Sequence, residues 1–429
     1  MIATLRQRNF ALLWFGGLIS ITGDWVLMVG LPIYVFLLTH SVLATSLMYL
    51  AGRAPSVLLA SLAGVFVDRW DRKRTMVITN VLLALALLPV LLARTPDHVW
   101  IIYIAAFVES CIEQFFTPAE SALLPNLVGE EHLVSANSLN ALSNNLARLV
   151  GPAVGGVIAG VFGLSGIVLV DAASFLLAAL LIALIAAPHR VSTATSASLA
   201  RAEAGALARV GREWLDGMRA IFSSRTLTVV LVAISITALG EGVMGVLFPV
   251  FVNRVLHGGA LQIGQLMSAQ AVGGLIGGLL VGFAGQRVMS RWVIGFCGMA
   301  FGLLDLAIFN SPAFYPVFWL SVGLFIAVGI PGIGMFTGVQ SLAQAAAPDA
   351  YRGRVFGAVG MTMGLLGLLG SIIAGTITDH LGVVTVLNIQ GAGYVVAGLL
   401  LLLLLPKRQP SPATSETTAT AEAPVAAEV

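Results

Sequence analysis

Long apolar spans constrain what this chain can fold into more than any other feature of its sequence. In the first part of the chain they run roughly over 10–38, 42–67, 75–95, 99–122, 140–163 and 166–187. In the second part they run roughly over 226–253, 261–285, 293–310, 314–337, 353–378 and 384–405. A helix of about 20 apolar residues crosses a bilayer. Strands are disfavoured, because lipid offers an open sheet edge no hydrogen-bond partners and these spans are too long for barrel strands.

The composition agrees with a membrane protein. Only 10% of the 429 residues are charged, compared with about 25% in soluble domains. The net charge of +2 gives no reason to expect a nucleic-acid partner, and two cysteines in different halves suggest neither a disulfide nor a metal site. We also expect no cleavable signal peptide, because the first apolar span is too long for one. The prediction is an all-α membrane protein with twelve transmembrane helices.

An internal repeat divides the spans into two sets of six. The residues at 23–26 (Gly-Asp-Trp-Val) recur at 240–243 (Gly-Glu-Gly-Val), 217 positions later, and a proline follows each acid by eight residues. Further similarities at offsets of 218 and 219 link 64–74 to 282–291 and 151–156 to 370–375. Duplicated halves of this kind are typical of secondary transporters. We therefore predict two pseudo-symmetric six-helix bundles.

The repeat and the basic residues together predict the domains and the topology. The expected parts are an N-terminal bundle, a linker with an amphipathic helix at the inner membrane surface, a C-terminal bundle and a disordered cytoplasmic tail, at 1–187, 188–225, 226–405 and 406–429. With the N-terminus inside, 18 of the 22 Arg and Lys residues lie on the cytoplasmic side and only Arg94 and Arg254 lie outside. Both termini are therefore expected in the cytoplasm, and the protein in the inner (plasma) membrane.

Two acids at mirrored positions are the first candidates for function. Asp24 and Glu241 each lie about 21 Å from the cytoplasmic end of a span. An ionisable residue inside a membrane is a functional candidate by default, and burial favours a neutral carboxyl that can bind and release protons. Arg53 lies at nearly the depth of Asp24, and pairing with it would keep Asp24 charged. We interpret Glu241 as the proton carrier and Asp24–Arg53 as a gate or a fixed structural pair.

Four other acids lie within apolar spans. Glu109 and Glu113 are four residues apart and share one helix face, where both cannot ionise cheaply. They are candidates for binding a cationic amphipathic substrate or for proton transfer, and the alternative is a polar face without a specific task. Asp171 is expected to serve a helix end or interface near the outer side, and Asp305 is expected to have a peripheral structural role.

Two short motifs carry a resemblance to a known family. The segment Gly64-x-x-x-Asp68-Arg69-x-x-Arg72-Lys73-Arg74 resembles the signature between helices 2 and 3 of the major facilitator superfamily, and Arg287 lies in its degenerate second copy. Gly151-Pro152-x-x-Gly155-Gly156 is similar to the helix-5 signature of the drug:proton antiporter branch. We predict gating by Asp68, Arg69, Arg72 and Arg287. The resemblance implies this role for Asp68 and Arg69, whereas fixing the topology alone could explain Arg72. It also implies export, and small residues at this spacing favour close helix packing.

The expected function follows from the acids and the resemblance together. Short matches, among them Ala136-Asn137-Ser138-Leu139, look like the macrolide-efflux and enterobactin-exporter subgroup, whereas Glu120 stands where that subgroup has a basic residue. We expect a monomeric secondary transporter that exports amphipathic or hydrophobic small molecules by proton antiport, without a cofactor. The alternatives are a narrow siderophore or lysolipid exporter and a non-transporting membrane sensor or scaffold. An enzyme is not expected, because no nucleophile–base pair or metal-ligand cluster is evident.

Overall fold

This computed structural model describes residues 2–67, 70–186, 206–285, 290–348 and 351–406, and the regular secondary structure within them is helical. The main helices are α1 (Arg8–Thr39), α2 (Val42–Val67), α3 (Arg72–Leu87), α4 (Val99–Val128), α5 (Leu133–Ala183), α6 (Ala206–Phe222), α7 (Arg225–Arg254), α8 (Ala260–Ala284), α9 (Arg291–Phe314), α10 (Phe318–Ala346), α11 (Arg352–Leu381) and α12 (Val383–Leu404). Short helical turns lie at Ile2–Leu5, Leu88–Leu92, Pro96–His98 and Glu130–His132.

Ten helical segments among the described residues are long and apolar enough to cross a membrane. One of them, α5, has 51 residues and covers both the fifth and the sixth predicted spans. Gly163 interrupts it with φ 58° and ψ −150°, a conformation that costs glycine little and other residues much. The chain therefore changes direction there without a loop. The predicted all-helical membrane fold is confirmed at this level.

The linker helix α6 packs against α7 and α11 along part of its apolar face. Its residues Trp214, Met218 and Ile221 join a cluster with residues of α7 and α11. The Asp216 carboxylate lies 3.7 Å from the Arg354 guanidinium, which ties α6 to the start of α11. Leu215 and Phe222 of the same helix remain exposed, so its predicted position at the inner membrane surface stays a prediction. The predictions for residues 188–205 and for the tail at 407–429 lie outside the described residues.

The halves meet along two helix pairs, α2 with α11 and α5 with α8. In the first pair the buried Ser46 hydroxyl donates a hydrogen bond of 2.6 Å to the Ser371 carbonyl. In the second pair Gly156 and Gly264 face each other, and a Cβ at Gly264 would meet the carbonyl oxygen of Pro152. We call this glycine contact the α5–α8 seam. It depends on the absence of side chains, because only that lets the two backbones approach.

A third contact between the halves lies at the C-terminal ends of α1, α7 and α11. Arg254 donates a hydrogen bond of 3.3 Å to the His40 carbonyl and lies 3.8 Å from the Asp379 carboxylate. Its guanidinium also lies 5.1 Å from the centre of the Phe36 ring. One arginine of the second half therefore binds the end of α1, and α11 is held beside it.

We expect Gly264→Ala to destabilise the protein, because the new methyl group meets backbone that cannot move aside. Overpacking of this kind costs about 1–3 kcal/mol. The matched control is Gly278→Ala on the same helix, where a Cβ meets nothing within 4 Å. A helical Gly→Ala change without a clash is neutral or mildly stabilising. Thermal midpoints of the two purified variants check this, and equal midpoints would show that the α5–α8 seam does not need a glycine.

Candidate functional site

Three carboxyl groups from three helical segments meet inside the N-terminal half. They belong to Asp24 of α1, Glu109 of α4 and Asp171 of α5, and one oxygen of each lies within 4.8 Å of the other two. We call this group the acid cluster. Glu113, one turn from Glu109, lies within electrostatic range of Asp24. No basic side chain among the described residues forms an ion pair with any member of the acid cluster.

Gly23 is what lets α1 approach Asp171. A Cβ at Gly23 would meet the Asp171 Oδ1 and Ser174 Oγ atoms. The Ser174 hydroxyl lies 2.8 Å from the Asp171 carbonyl oxygen and 3.2 Å from Oδ1, and it can donate to either. Asp171 is fully buried, and its Oδ2 atom has no hydrogen-bond partner in the described part of the chain. The Gly23–Asp24 pair therefore places two acids side by side with a single hydroxyl donor between helices.

Asp171 is the residue whose neighbours sequence reasoning did not identify. We expected it to serve a helix end or an interface near the outer side, and it lies at the interface of α5 with α1, as a member of the acid cluster. The sequence did indicate the membrane depth of Asp171, because this residue lies eight residues, or about 12 Å, beyond the break at Gly163. Asp24, about 21 Å from the opposite face of a core about 30 Å thick, lies at a similar depth. The order of the helices around the bundle, which the sequence does not state, was the missing information.

The electrostatics of the acid cluster do not allow three free negative charges. At the effective dielectric constant of about 20 that suits protein sites, two charges 4.8 Å apart repel by about 3 kcal/mol. Three such pairs would cost more than a helical membrane protein can spare at one site. Protons or a bound cation must therefore compensate part of the charge.

Arg53 lies elsewhere than expected. Its guanidinium lies 5.2 Å from the centre of the Tyr49 ring, one turn earlier on the same helix, and its side chain is exposed. It acts electrostatically on the exposed Glu113. The Asp24–Arg53 ion pair that we predicted is not formed, because Asp24 packs towards Asp171 and Glu109 while Arg53 follows the surface of α2.

The acids of the C-terminal half have polar partners. The Tyr394 hydroxyl donates a hydrogen bond of 2.5 Å to Glu241 Oε1, and the Tyr394 ring packs on Phe301. The buried Asp305 accepts a hydrogen bond of 3.2 Å from the side-chain amide of Gln390. Asp305 also acts on Tyr394 electrostatically, so it belongs to this polar group rather than to a peripheral contact.

Glu241 lies beside the boundary between the halves. One turn further along α7, a Cβ at Gly245 would meet the ring of Tyr49 from α2. Tyr49 experiences the charges of both Arg53 and Glu241. The series Arg53, Tyr49, Glu241 and Tyr394 therefore crosses from one half to the other. Sequence reasoning missed both tyrosines, because a single tyrosine in an apolar span gives no periodic signal.

The glycines of the helix-5 motif pack against the acid-bearing part of α1. A Cβ at Gly151 would meet the Trp25 side chain, and one at Gly155 would lie 2.9 Å from the Val26 Cα atom. Gly156 and Pro152 belong to the α5–α8 seam. The motif therefore lies between the residues after Asp24 and the other half.

Of the four predicted gating residues, only Arg72 is described. It begins α3, and its Nε atom is buried without a hydrogen-bond partner in the described chain. The preceding Asp71 caps this helix by accepting a hydrogen bond of 2.7 Å from the Arg74 amide. The predictions for Asp68, Arg69 and Arg287 lie outside the described residues.

Comparison with known proteins places these features in a family context. A family model described as "Transmembrane secretion effector" matches residues 1–429. The chain is 30% identical to the multidrug efflux pump Tap of Mycolicibacterium fortuitum over 88% of this chain and 91% of that protein. It is 26% identical to macrolide efflux protein A of Streptococcus pyogenes over the same shares.

Two further similarities extend this context. The chain is 26% identical to the staphyloferrin A transporter of Staphylococcus aureus, over 86% of this chain and 89% of that protein. Its fold is similar to the crystal structure of a bacterial homologue of the iron transporter ferroportin in an inward-facing state. The TM-score is 0.73 at 17% identity, and the match covers 92% of this chain and 98% of the other.

We expect Asp171→Asn to stabilise the protein at pH 8 in metal-free buffer. Without metal at pH 8, the acid cluster must either keep protons against the pH or hold repelling charges, and the change removes one of the three groups that cause this cost. The new amide can also donate to a neighbouring carboxylate, so that the total gain is about 1–3 kcal/mol. Asp305→Asn is the matched control, because that buried acid already accepts a hydrogen bond from Gln390. Thermal midpoints check the prediction. A midpoint for Asp171→Asn at or below that of the unmodified protein would contradict the charge repulsion.

Proposed function

The chain belongs to the transmembrane secretion effector family of the major facilitator superfamily, and from this we propose that it exports amphipathic or hydrophobic small molecules. The transport cycle is secondary active, with proton entry driving export. Twelve crossings in two six-helix bundles, with both termini in the cytoplasm, form the scaffold. The protein is a transporter rather than an enzyme, as its family indicates.

One observation carries the proposal of proton coupling, namely the position of Glu241. Its carboxyl group is accessible, lies next to the boundary between the halves, and has a phenol rather than a cation as its hydrogen-bond partner. A carboxyl without a cationic partner can exchange a proton without first breaking an ion pair. A proton that enters across 100 mV releases about 2.3 kcal/mol, which is enough to drive a useful substrate gradient.

The contacts of Arg254 support alternating access. In the proposed topology the ends of α1, α7 and α11 that it joins face the cell exterior, so these contacts close the outer side. Rocking of one half against the other would break them and open that side. Asp68, Arg69, Arg72 and Arg287, at the opposite side, are proposed to act in the same cycle from the cytoplasm.

The substrate class is proposed from the relatives and the acids together. The similarity to macrolide efflux protein A and to the multidrug efflux pump Tap supports large amphipathic compounds as substrates of this chain. The acidic face formed by Glu109 and Glu113 suits a cationic group on such a substrate. The second candidate is export of a siderophore, which the staphyloferrin A transporter favours. Export of a lysolipid is the other narrow-substrate alternative, and the same flux assay tests it. A siderophore is anionic or neutral in general, so competition between substrate classes separates these candidates.

We expect Glu241→Gln to abolish proton coupling, because glutamine cannot release a proton. Accumulation of a cationic dye in everted vesicles under a proton gradient should fall at least tenfold, while equilibrium dye binding changes little. The matched control is Glu131→Gln, whose side chain is 82% exposed and which should transport normally. If proton-driven accumulation persists unchanged in Glu241→Gln, Glu241 is not the carrier.

We expect Arg254→Gln to shift the protein towards a state that is open at the outer side. The ion pair is partly exposed, so the lost contacts together are worth about 1–2 kcal/mol, or roughly a tenfold change in population. Spin labels on the outer ends of α1 and α11, in a chain without Cys111 and Cys297, report this as longer distances. Arg94→Gln is the control, because the Arg94 side chain donates to the Leu91 carbonyl of its own half. Identical distance distributions would refute the closure.

A further inference from the structure

The negative charge of the acid cluster has no part in the proton coupling proposed for Glu241. Glu241 belongs to the other half and has its own partner, whereas in the acid cluster the Ser174 hydroxyl donates to Asp171. A cluster of acids alone is no evidence for a ligand. The independent observation is Asp171, which is fully buried and whose Oδ2 atom has no partner in the described part of the chain.

The internal repeat supplies a second argument. In the second half, a side-chain amide stands at the place equivalent to Asp171 and donates a hydrogen bond to a buried acid. A Cβ at Gly23 would meet Asp171, and a Cβ at the mirrored Gly240 would meet Gln390, which is 219 positions after Asp171. In the second half, this amide donates to Asp305. In the first half, an acid stands at the corresponding place, so that a donor is replaced by a further acceptor.

We propose that the acid cluster is a binding site for a hard divalent cation of the size of Ca²⁺. The three carboxylate oxygens lie within 4.8 Å of one another, so that small side-chain shifts bring all three to the Ca²⁺–oxygen distance of about 2.3–2.6 Å from a single ion. One oxygen of each acid converges on this place, each acid carries a second oxygen, and the Ser174 hydroxyl lies beside Asp171. Oxygen donors of this kind suit Ca²⁺, which takes about six to eight oxygen ligands.

The chemistry of the ligands argues against other cations. Mg²⁺ requires shorter bonds and retains several waters, which a fully buried carboxyl with one adjacent hydroxyl does not favour. Zinc and copper prefer nitrogen or sulfur ligands, and the acid cluster contains only oxygen. Three negative charges attract a divalent ion more strongly than Na⁺. A bound ion would join α1, α4 and the second part of α5.

Direct binding of ⁴⁵Ca²⁺ to the purified full-length protein in detergent tests the proposal. We expect saturable binding of about one ion per chain, not displaced by a tenfold excess of Mg²⁺, and a rise of the thermal midpoint by about 5 °C at saturation. Asp171→Asn and Glu109→Gln should each weaken binding at least tenfold. Asp305→Asn and Glu241→Gln, which change acids of the other half, should bind as the unmodified protein does.

Several results would overturn the site. They are the absence of saturable ⁴⁵Ca²⁺ binding, displacement by Mg²⁺, or unchanged binding in Asp171→Asn. If one cluster variant is not monodisperse on size exclusion, the other decides the question. The site shares Glu109 with the proposed substrate face, but equilibrium binding of ⁴⁵Ca²⁺ requires neither substrate nor gradient, so the two proposals are tested separately. Export without Ca²⁺ binding would refute the site alone, and binding without export would refute the proposed function alone.

Discussion

The cost of holding charge in an apolar interior is the constraint on which the rest of this structure depends. The chain has few charged residues, yet it places acids inside helices α1, α4, α5, α7 and α9. Each must be neutralised by a proton, a donor or a cation. The C-terminal half does this with Tyr394 and Gln390, whereas the N-terminal half leaves Asp24, Glu109 and Asp171 close together. The difference between these solutions gives the duplicated halves different chemistry.

Glycine makes both solutions possible, because the acids are placed by close helix contacts rather than by loops. Gly23 admits Asp171, and Gly240 admits Gln390 and Tyr394 in the mirrored place. On the opposite side of α1, the helix-5 glycines pack against Trp25 and Val26. The stretch that bears Asp24 is therefore held from two sides. The duplicated Gly-acid pair reflects a packing requirement as well as a chemical one.

The sequence predicted the helical membrane fold, and it identified Asp24, Glu109 and Glu241 as candidates, because an acid within an apolar span is conspicuous by itself. It did not predict which helices are neighbours. For that reason it paired Asp24 with Arg53 by depth alone, and it left open whether Asp171 serves a helix end or an interface. Tyr49 and Tyr394 were missed for a different reason, since their importance comes from the residues they contact. Neighbour relations depend on long-range packing, which no local pattern of residues contains.

The junction at Gly163 has a mechanical consequence. Because α5 turns there without a loop, the helical segment that carries Gly156 is joined directly to the helical segment that carries Asp171. The first segment packs against α8 of the other half at Gly264, and the second brings Asp171 next to Asp24. A displacement of one half against the other at Gly156 would thus move Asp171, because only fifteen residues and no loop separate the two. Such a connection can relay the position of one bundle to the charge state of the other.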